Sequence, residues 1–401
     1  MSATVPTAEA PSPAVAPPPG NPRFALFDSL RAIAVLAVIT FHVVSLSGAI
    51  GDRVVGDAAA MLGSQGPILF FVISGFLLYR PYVAARATGA PAPGLGQYAR
   101  RRTLRIVPAY WLALTALAVF PGIVGAFSGD WWRYYGFLQL YRQDTLGGGI
   151  PVAWTLCVEV SFYVLLPFWA LAVRRLGVEV GALAIVALGG AAVQIAAARN
   201  EVSDLLATTL LGQCTWLALG MALAVASVRT ERAPRQPLVV RLVVERPGLC
   251  WLGAGAAFAA LTALLHPGGA FGIARALAVQ QPLAKTIAAI ALGVVVNALL
   301  VAPAIFGERA GGLPRRVLAA APLAWIGLIS YGMYLWHLTV AELLALPSAP
   351  GHFSAGGLDL TAKVDHLRSP ILFVLTLAAT TAIAAASYYL VELPFLRRKE
   401  R

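Results

Sequence analysis

The chain has 401 residues, 59% of them apolar and only 12% charged, with a mean hydropathy of +0.76. Soluble domains carry about 25% charged residues, so this composition excludes an ordinary soluble globule and points to a polytopic membrane protein. The net charge is +12, but the basic residues sit in short segments between apolar runs, the pattern of orientation signals and not of a nucleic-acid patch.

Residues 1–22 are rich in Pro and Ala, without aromatics or periodicity, and are expected to form a disordered tail. The tail lacks the basic start and cleavage pattern of a secretory signal, so the first span is expected to be retained. From there, apolar runs long enough to cross ~30 Å of hydrocarbon predict ten spans. They fall at 26–47, 61–80, 104–124, 154–174, 181–199, 205–226, 248–265, 284–305, 322–346 and 370–391. None alternates apolar with polar residues as β-barrel strands do. The expected fold is an all-α integral membrane protein, a bundle of about ten transmembrane helices over 23–396, followed by a basic tail at 397–401. An even count puts both termini on one side. If that side is the cytoplasm, 22 of the 30 Lys and Arg residues lie inside, as the positive-inside rule requires. The termini are therefore expected to be cytoplasmic, in a multi-pass protein of the cell (inner, cytoplasmic) membrane.

Two expected outer segments stand out. Residues 127–153 place six aromatics between Trp131 and Tyr141, either an interfacial belt or a platform for a sugar or other acceptor. The loop at 347–369 contains His352 and His366, read as surface histidines. Cys157, Cys214 and Cys250 lack metal-ligand spacing and are read as buried bystanders, a catalytic Cys157 being the lesser alternative. No internal repeat is evident, which counts against transporters built from duplicated halves.

Ionisable residues inside membrane helices are costly and mark functional sites by default. In "FDSLRAIAVLAVITFH" (27–42), Arg31 and His42 are eleven residues apart, about 16 Å of helical rise, and Asp28, Arg31 and His42 share one face. His42 lies about 15 residues from the cytoplasmic side of its span, as do His337 in span 9 and, counted back from Arg174, Glu159 in the inward-running span 4. Each alone could be a helix–helix hydrogen-bonding residue; together they suggest a buried polar site. A second layer at the cytoplasmic rim holds Asp28, Arg31, Arg80, Arg102, Arg105 and Glu392. Arg102 and Arg105, at i and i+3, share a helix face, and their forked donors suit phosphates. A phosphorylated ligand entering from the cytoplasm would meet this rim first.

These blocks resemble the membrane-bound acyltransferase-3 family over residues 24–396. The Arg-x10-His stretch at 31–42, "FFVISGFLLYRPY" (70–82), "RRRTLRIVPAYW" (100–111), "WTLCVEVSFYVLLP" (154–167), "SYGMYLWH" (330–337) and "SYYLVELPF" (387–395) are similar to its motifs and follow in order. There are departures: Ser29 replaces the usual Gly, and "CVEVSFY" lacks the second acidic residue of the commoner "SVEEQFY". The chain ends soon after the last block, so the stand-alone form is expected, without the hydrolase-like domain fused to some members.

The resemblance implies an integral membrane O-acyltransferase moving an acyl group, often acetyl, from cytoplasmic acyl-CoA to a hydroxyl of a carbohydrate, glycolipid or related acceptor. It makes acyl-CoA (acetyl-CoA) the co-substrate, with no metal, and acyl-CoA, the acceptor and the lipid bilayer the partners, with no nucleic acid. Carried over by motif, His42 resembles the essential histidine and Arg31 its partner; Arg102 and Arg105 resemble a pair meeting CoA phosphates, with Arg80 and Asp28 beside them. Glu159, Tyr334 and His337 lie in motif blocks and complete the catalytic candidates. A desolvated His42 stays neutral and suits a general base, with Glu159 or Tyr334 orienting it or relaying the proton. The alternative route makes His42 a transient acyl carrier. Acylation of a macrolide-like secondary metabolite and a proton-coupled transporter using the same His and Glu stand as alternative functions.

Overall fold

The computed structural model describes residues 24–47, 54–173, 176–265, 282–307, 311–345 and 369–398. The expected tail at 1–22, the loop with His352 and His366, and residues 399–401 of the basic tail lie outside them. Among the described residues the chain is helical, with no strand. Ten long helices match the ten predicted spans one for one: α1 (Leu26–Leu46), α2 (Val54–Thr88), α3 (Leu95–Val119), α5 (Trp154–Ala172), α6 (Leu176–Ala198), α8 (Leu210–Arg232), α10 (Pro247–Leu265), α11 (Leu283–Ile305), α13 (Ala321–Ala345) and α14 (Ser369–Ser387). Short helices fill the connections: α4 (Trp131–Tyr135), α7 (Asp204–Thr208), α9 (Leu238–Glu245), α12 (Leu313–Leu318) and, after a π-helical turn at Tyr388–Glu392, α15 (Leu393–Arg397).

Nine regions among the described residues are long and apolar enough to cross a membrane. The tenth, α3, is 25 residues long but carries Arg100, Arg101, Arg102 and Arg105 in its first half. The sequence placed the start of that span at 104, because hydropathy reads these arginines as loop. Arginine is a good helix former, and the helix begins nine residues earlier. Similarly, α2 runs for 35 residues, about 52 Å at 1.5 Å per residue, and outlasts the 61–80 window at both ends.

α1 packs between α2 and α13, while α2 packs on α8, α6 on α8, and α13 on α14. Glycines set the closest crossings. A Cβ at Gly327 of α13 would lie 1.7 Å from the Asp28 carbonyl oxygen of α1. At the α2–α8 crossing, a Cβ on Gly75 would meet the Leu217 oxygen at 2.3 Å, and one on Gly220 the Val72 oxygen at 2.1 Å. With little hydrophobic drive between helices in lipid, such backbone approaches are what van der Waals association relies on. Ser29, the departure from the usual Gly, is fully buried and donates from Oγ to the Leu318 carbonyl at 2.6 Å, tying α1 to α12.

Candidate active site

The crossing of α1 and α13 brings two histidines into contact. His337 Nε2 stands 3.2 Å from His42 Nδ1, with ring centroids 5.0 Å apart. His337 is completely buried and His42 half-buried. Their backbone contacts fix the tautomers. His42 Nδ1 lies 2.9 Å from the Val38 carbonyl oxygen. His337 Nδ1 lies 2.8 Å from the Tyr334 oxygen and 3.2 Å from that of Met333. A carbonyl oxygen only accepts, so each Nδ1 carries its hydrogen. His337 Nε2 is then the acceptor, and His42 Nδ1–H is shared between it and Val38. One ring nitrogen, Nε2 of His42, is left with a lone pair and no proton.

Tyr334 lies beside this pair, its ring 5.8 Å from that of His337. Its hydroxyl donates to the Val152 carbonyl at 2.8 Å and sits 2.9 Å from Thr155 Oγ1. That oxygen is thus engaged by the segment leading into α5. Glu159 does not join the histidines either. Its carboxylate accepts from Ser74 Oγ at 2.6 Å and from the Tyr163 hydroxyl at 2.9 Å. It lies within electrostatic range of Arg31 and Arg102. Of the three residues expected at one depth, His42 and His337 meet, whereas Glu159 lies with Ser74, Tyr163 and the arginines.

The arginine layer draws on α1, α3 and the π-helical turn. Arg31 pairs with Asp28, Nη1 to Oδ1 at 2.5 Å. Arg105 is within electrostatic range of Arg31, Arg102 and Glu392. Arg102 has a buried Nε without a hydrogen-bond partner, and its guanidinium stands 6.0 Å from the Tyr163 ring. Among the described residues no carboxylate lies within 4.0 Å of Arg102 or Arg105. Arg80 is elsewhere. It donates to Glu231 Oε1 at 2.6 Å and Ser227 Oγ at 3.1 Å on α8, and its guanidinium covers the Phe24 ring at 4.8 Å.

Reading by sequence overlooked Ser74, Tyr163 and Thr155, which fix Glu159 and Tyr334. Ser74 and Tyr163 lie inside the motif blocks, and a search for hydroxyls within one turn of the acidic residue would have found Tyr163, at i+4. Cys157 is fully buried in the core. Among the described residues no group of three His, Cys, Asp or Glu is placed to hold a metal ion.

The family model for an acyltransferase domain matches residues 24–389. The chain is 24% identical, over 92% of its length, to peptidoglycan O-acetyltransferase OatA of Listeria monocytogenes, and spans 55% of that protein. It is also 24% identical, over 92% of its length, to nodulation protein 10 of Rhizobium leguminosarum, of which it spans 93%. No solved structure matches the chain.

Proposed function

The chain belongs to the acyltransferase-3 family, and from that premise we propose that it is a membrane O-acyltransferase passing an acyl group from acyl-CoA to a carbohydrate or glycolipid hydroxyl. The observation that carries this reading is the His42–His337 pair, whose hydrogen bonds leave His42 Nε2 bare and ready to take a proton. A thioester is already activated, so the chemistry asks for a base and for a place to hold the donor. The acceptor oxygen attacks the thioester carbonyl carbon while its hydroxyl proton moves to His42 Nε2. The C–S bond then breaks, and the departing thiolate takes that proton from the His42 imidazolium, leaving as the thiol. As the imidazolium forms, the neutral His337 Nε2 accepts a stronger hydrogen bond from His42 Nδ1–H; His337 is a positioning residue.

Arg31, Arg102 and Arg105 form the cradle for the donor's phosphates in this scheme. Two of them have no carboxylate within ion-pair distance among the described residues, which supports an anion arriving as ligand. Asp28 orients Arg31. Arg80, tied to Glu231 and Ser227, is left out. The rise from Arg31 to His42, about 16 Å, suits the reach of a pantetheine arm. The choice of acetyl and of a glycan follows the Listeria relative, a peptidoglycan O-acetyltransferase. We place the reaction in the cell membrane, with the arginine end of the bundle facing the cytoplasm.

The test is transfer of labelled acetyl from acetyl-CoA to a glycan acceptor by the purified protein. His42→Ala should lower the rate by about 10²–10⁴-fold, the usual worth of a general base, while the protein still inserts. A His42→Ala rate close to wild type would refute the assignment.

A further inference from the structure

At the arginine end of the bundle, the connection from α8 to α10 carries α9 and the connection from α11 to α13 carries α12. Ser29, near the start of α1, donates to the Leu318 carbonyl of α12. Arg315 of α12 donates in turn to the Val243 and Val244 carbonyls of α9. The two short helices are thereby pinned to each other and to the end of α1 that holds Asp28 and Arg31. α9 is not a run-in to α10. Arg246 leaves the helical region, with φ −131° and ψ 59°, as a residue before proline does, and Pro247 starts α10 afresh.

Both short helices divide their surfaces into three faces, in the same order. At about 100° per residue, Val240 and Val243 share one face of α9 and are buried, Val243 packing with Cys250 and Ala302. Leu238, Val239 and Leu242 fall on the next face and are bare, Leu238 at 68% exposure and Val239 at 72%. Arg241 and Glu245 take the third, which is exposed and polar. In α12, Pro314, Arg315 and Leu318 are buried, Leu313 (71% exposed) and Val317 are bare, and Arg316 stands on the polar face. A helix in water has no use for such an apolar face, and a helix in hydrocarbon none for the arginine. One face against protein, one apolar and one charged is the arrangement of a helix lying in the interfacial layer of a bilayer.

Charge selects the lipid. Arg232, Arg235, Arg241, Arg246 and Arg316 are all exposed on or beside these helices. Among the described residues only Arg241 of the five has a carboxylate within 4.0 Å, the exposed Glu245 at 3.7 Å. Guanidinium groups with free forks suit a phosphate. A choline headgroup offsets its phosphate with its own cation, whereas an anionic headgroup does not. A second copy of the same surface would bring like charge to like.

We propose that α9 and α12 form a platform in the interfacial layer, with Leu238, Val239, Leu242 and Leu313 among the acyl chains and the surrounding arginines binding anionic phospholipid. The proposal does not depend on the acyltransferase reading. The experiment uses the full chain in nanodiscs, with a fluorophore on Leu242→Cys in a Cys214→Ser background; the other two cysteines, Cys157 and Cys250, are buried. The nanodiscs are phosphatidylcholine with an equal minority of either brominated phosphatidylglycerol or brominated phosphatidylcholine. Brominated lipid should quench the label and aqueous iodide should not. Brominated phosphatidylglycerol should quench several-fold more than brominated phosphatidylcholine, since each arginine near an anionic surface is worth about fivefold in local affinity. Arg235→Gln/Arg241→Gln/Arg316→Gln should bring the two lipids to parity. Inorganic phosphate should reduce the preference no more than chloride of equal ionic strength. Quenching by iodide in place of bromine would put the face in water, and quenching by neither would mean that protein covers it; either overturns the proposal. So do equal quenching by the two lipids in the protein with its arginines intact, an undiminished preference in the triple variant, and a loss specific to inorganic phosphate, which would make the arginines a site for a soluble anion. The comparison of the two lipids with all arginines present decides the matter even if the triple variant does not fold.

Discussion

His337→Leu separates a positioning role from a packing role. The buried His337 ring gives one service to the chemistry: its Nε2 accepts from His42 Nδ1 at 3.2 Å. With leucine there, His42 keeps its Val38 bond at 2.9 Å, so its tautomer survives and the resting site changes little. The loss falls on the imidazolium. A hydrogen bond from a charged donor is worth about 1.5–3 kcal/mol, and each 1.36 kcal/mol is tenfold in rate, so kcat should fall about 10–150-fold. The apparent KM for acetyl-CoA should not move, because the arginine layer is untouched. His337→Gln offers an amide oxygen to the same Nδ1–H and should recover part of the loss. The assay is steady-state acetyl transfer in nanodiscs, with thermal unfolding run in parallel. A His337→Leu protein of normal thermal stability whose kcat stays within threefold of wild type would refute the reasoning.

Three further perturbations probe the layers beneath. Arg102→Ala and Arg105→Ala should each raise the KM for acetyl-CoA about tenfold or more, the worth of a lost charge-assisted bond, and leave the acceptor KM alone; a shift confined to the acceptor would sink the cradle. Arg315→Met should lower thermal stability by several kcal/mol with kinetics intact. This guanidinium donates to five carbonyls, of Val243, Val244, Pro303, Phe306 and Gly311, and buried acceptors left bare cost ~1–3 kcal/mol each before relaxation; an unchanged melting curve is the adverse result. Gly327→Leu should abolish both folding yield and transfer, since its Cβ alone would lie 1.7 Å from the Asp28 oxygen; normal expression with full activity would show that α1 and α13 do not cross there.

Arg315 also shows where sequence reading stops. In the sequence it is one more basic residue in a cytoplasmic segment, and the positive-inside rule counts it as such. In the fold, α9, α11 and α12 close around it, and desolvation lowers its pKa from the usual arginine value. Charge was legible and burial was not, because burial comes from helices far away in the chain. The ten spans were legible because each apolar run is a local property, long enough to cross hydrocarbon. Their ends were less so: the arginines opening α3 are helical residues that hydropathy scores as loop. The depth of the two histidines was legible, since rise per residue is fixed. The missing quantity was rotation. His42 and His337 meet, yet the azimuth that lets them do so depends on crossings such as Gly327 on Asp28. Those crossings turn His337 onto His42 and leave Glu159 to Ser74 and Tyr163.

The two layers of the site meet on a single element. Arg31 and His42 both belong to α1, so the distance from the proposed phosphate cradle to the proposed base is set by one uninterrupted helix and not by the packing of several. The other members come to it: Arg102 and Arg105 from α3, His337 from α13. A helix of fixed pitch holds that distance at about 16 Å of rise however the surrounding helices adjust, and the crossing at Gly327 fixes α13 against it. Inserting one residue between Arg31 and His42 would advance His42 by about 100°, off His337 and off the face shared with Asp28. Moving the histidine would then break the dyad and the register with the cradle in one step, whereas variants in α3 or α13 break only one of them. Rate and donor affinity should therefore fall together for changes in the length of α1, and separately for changes elsewhere.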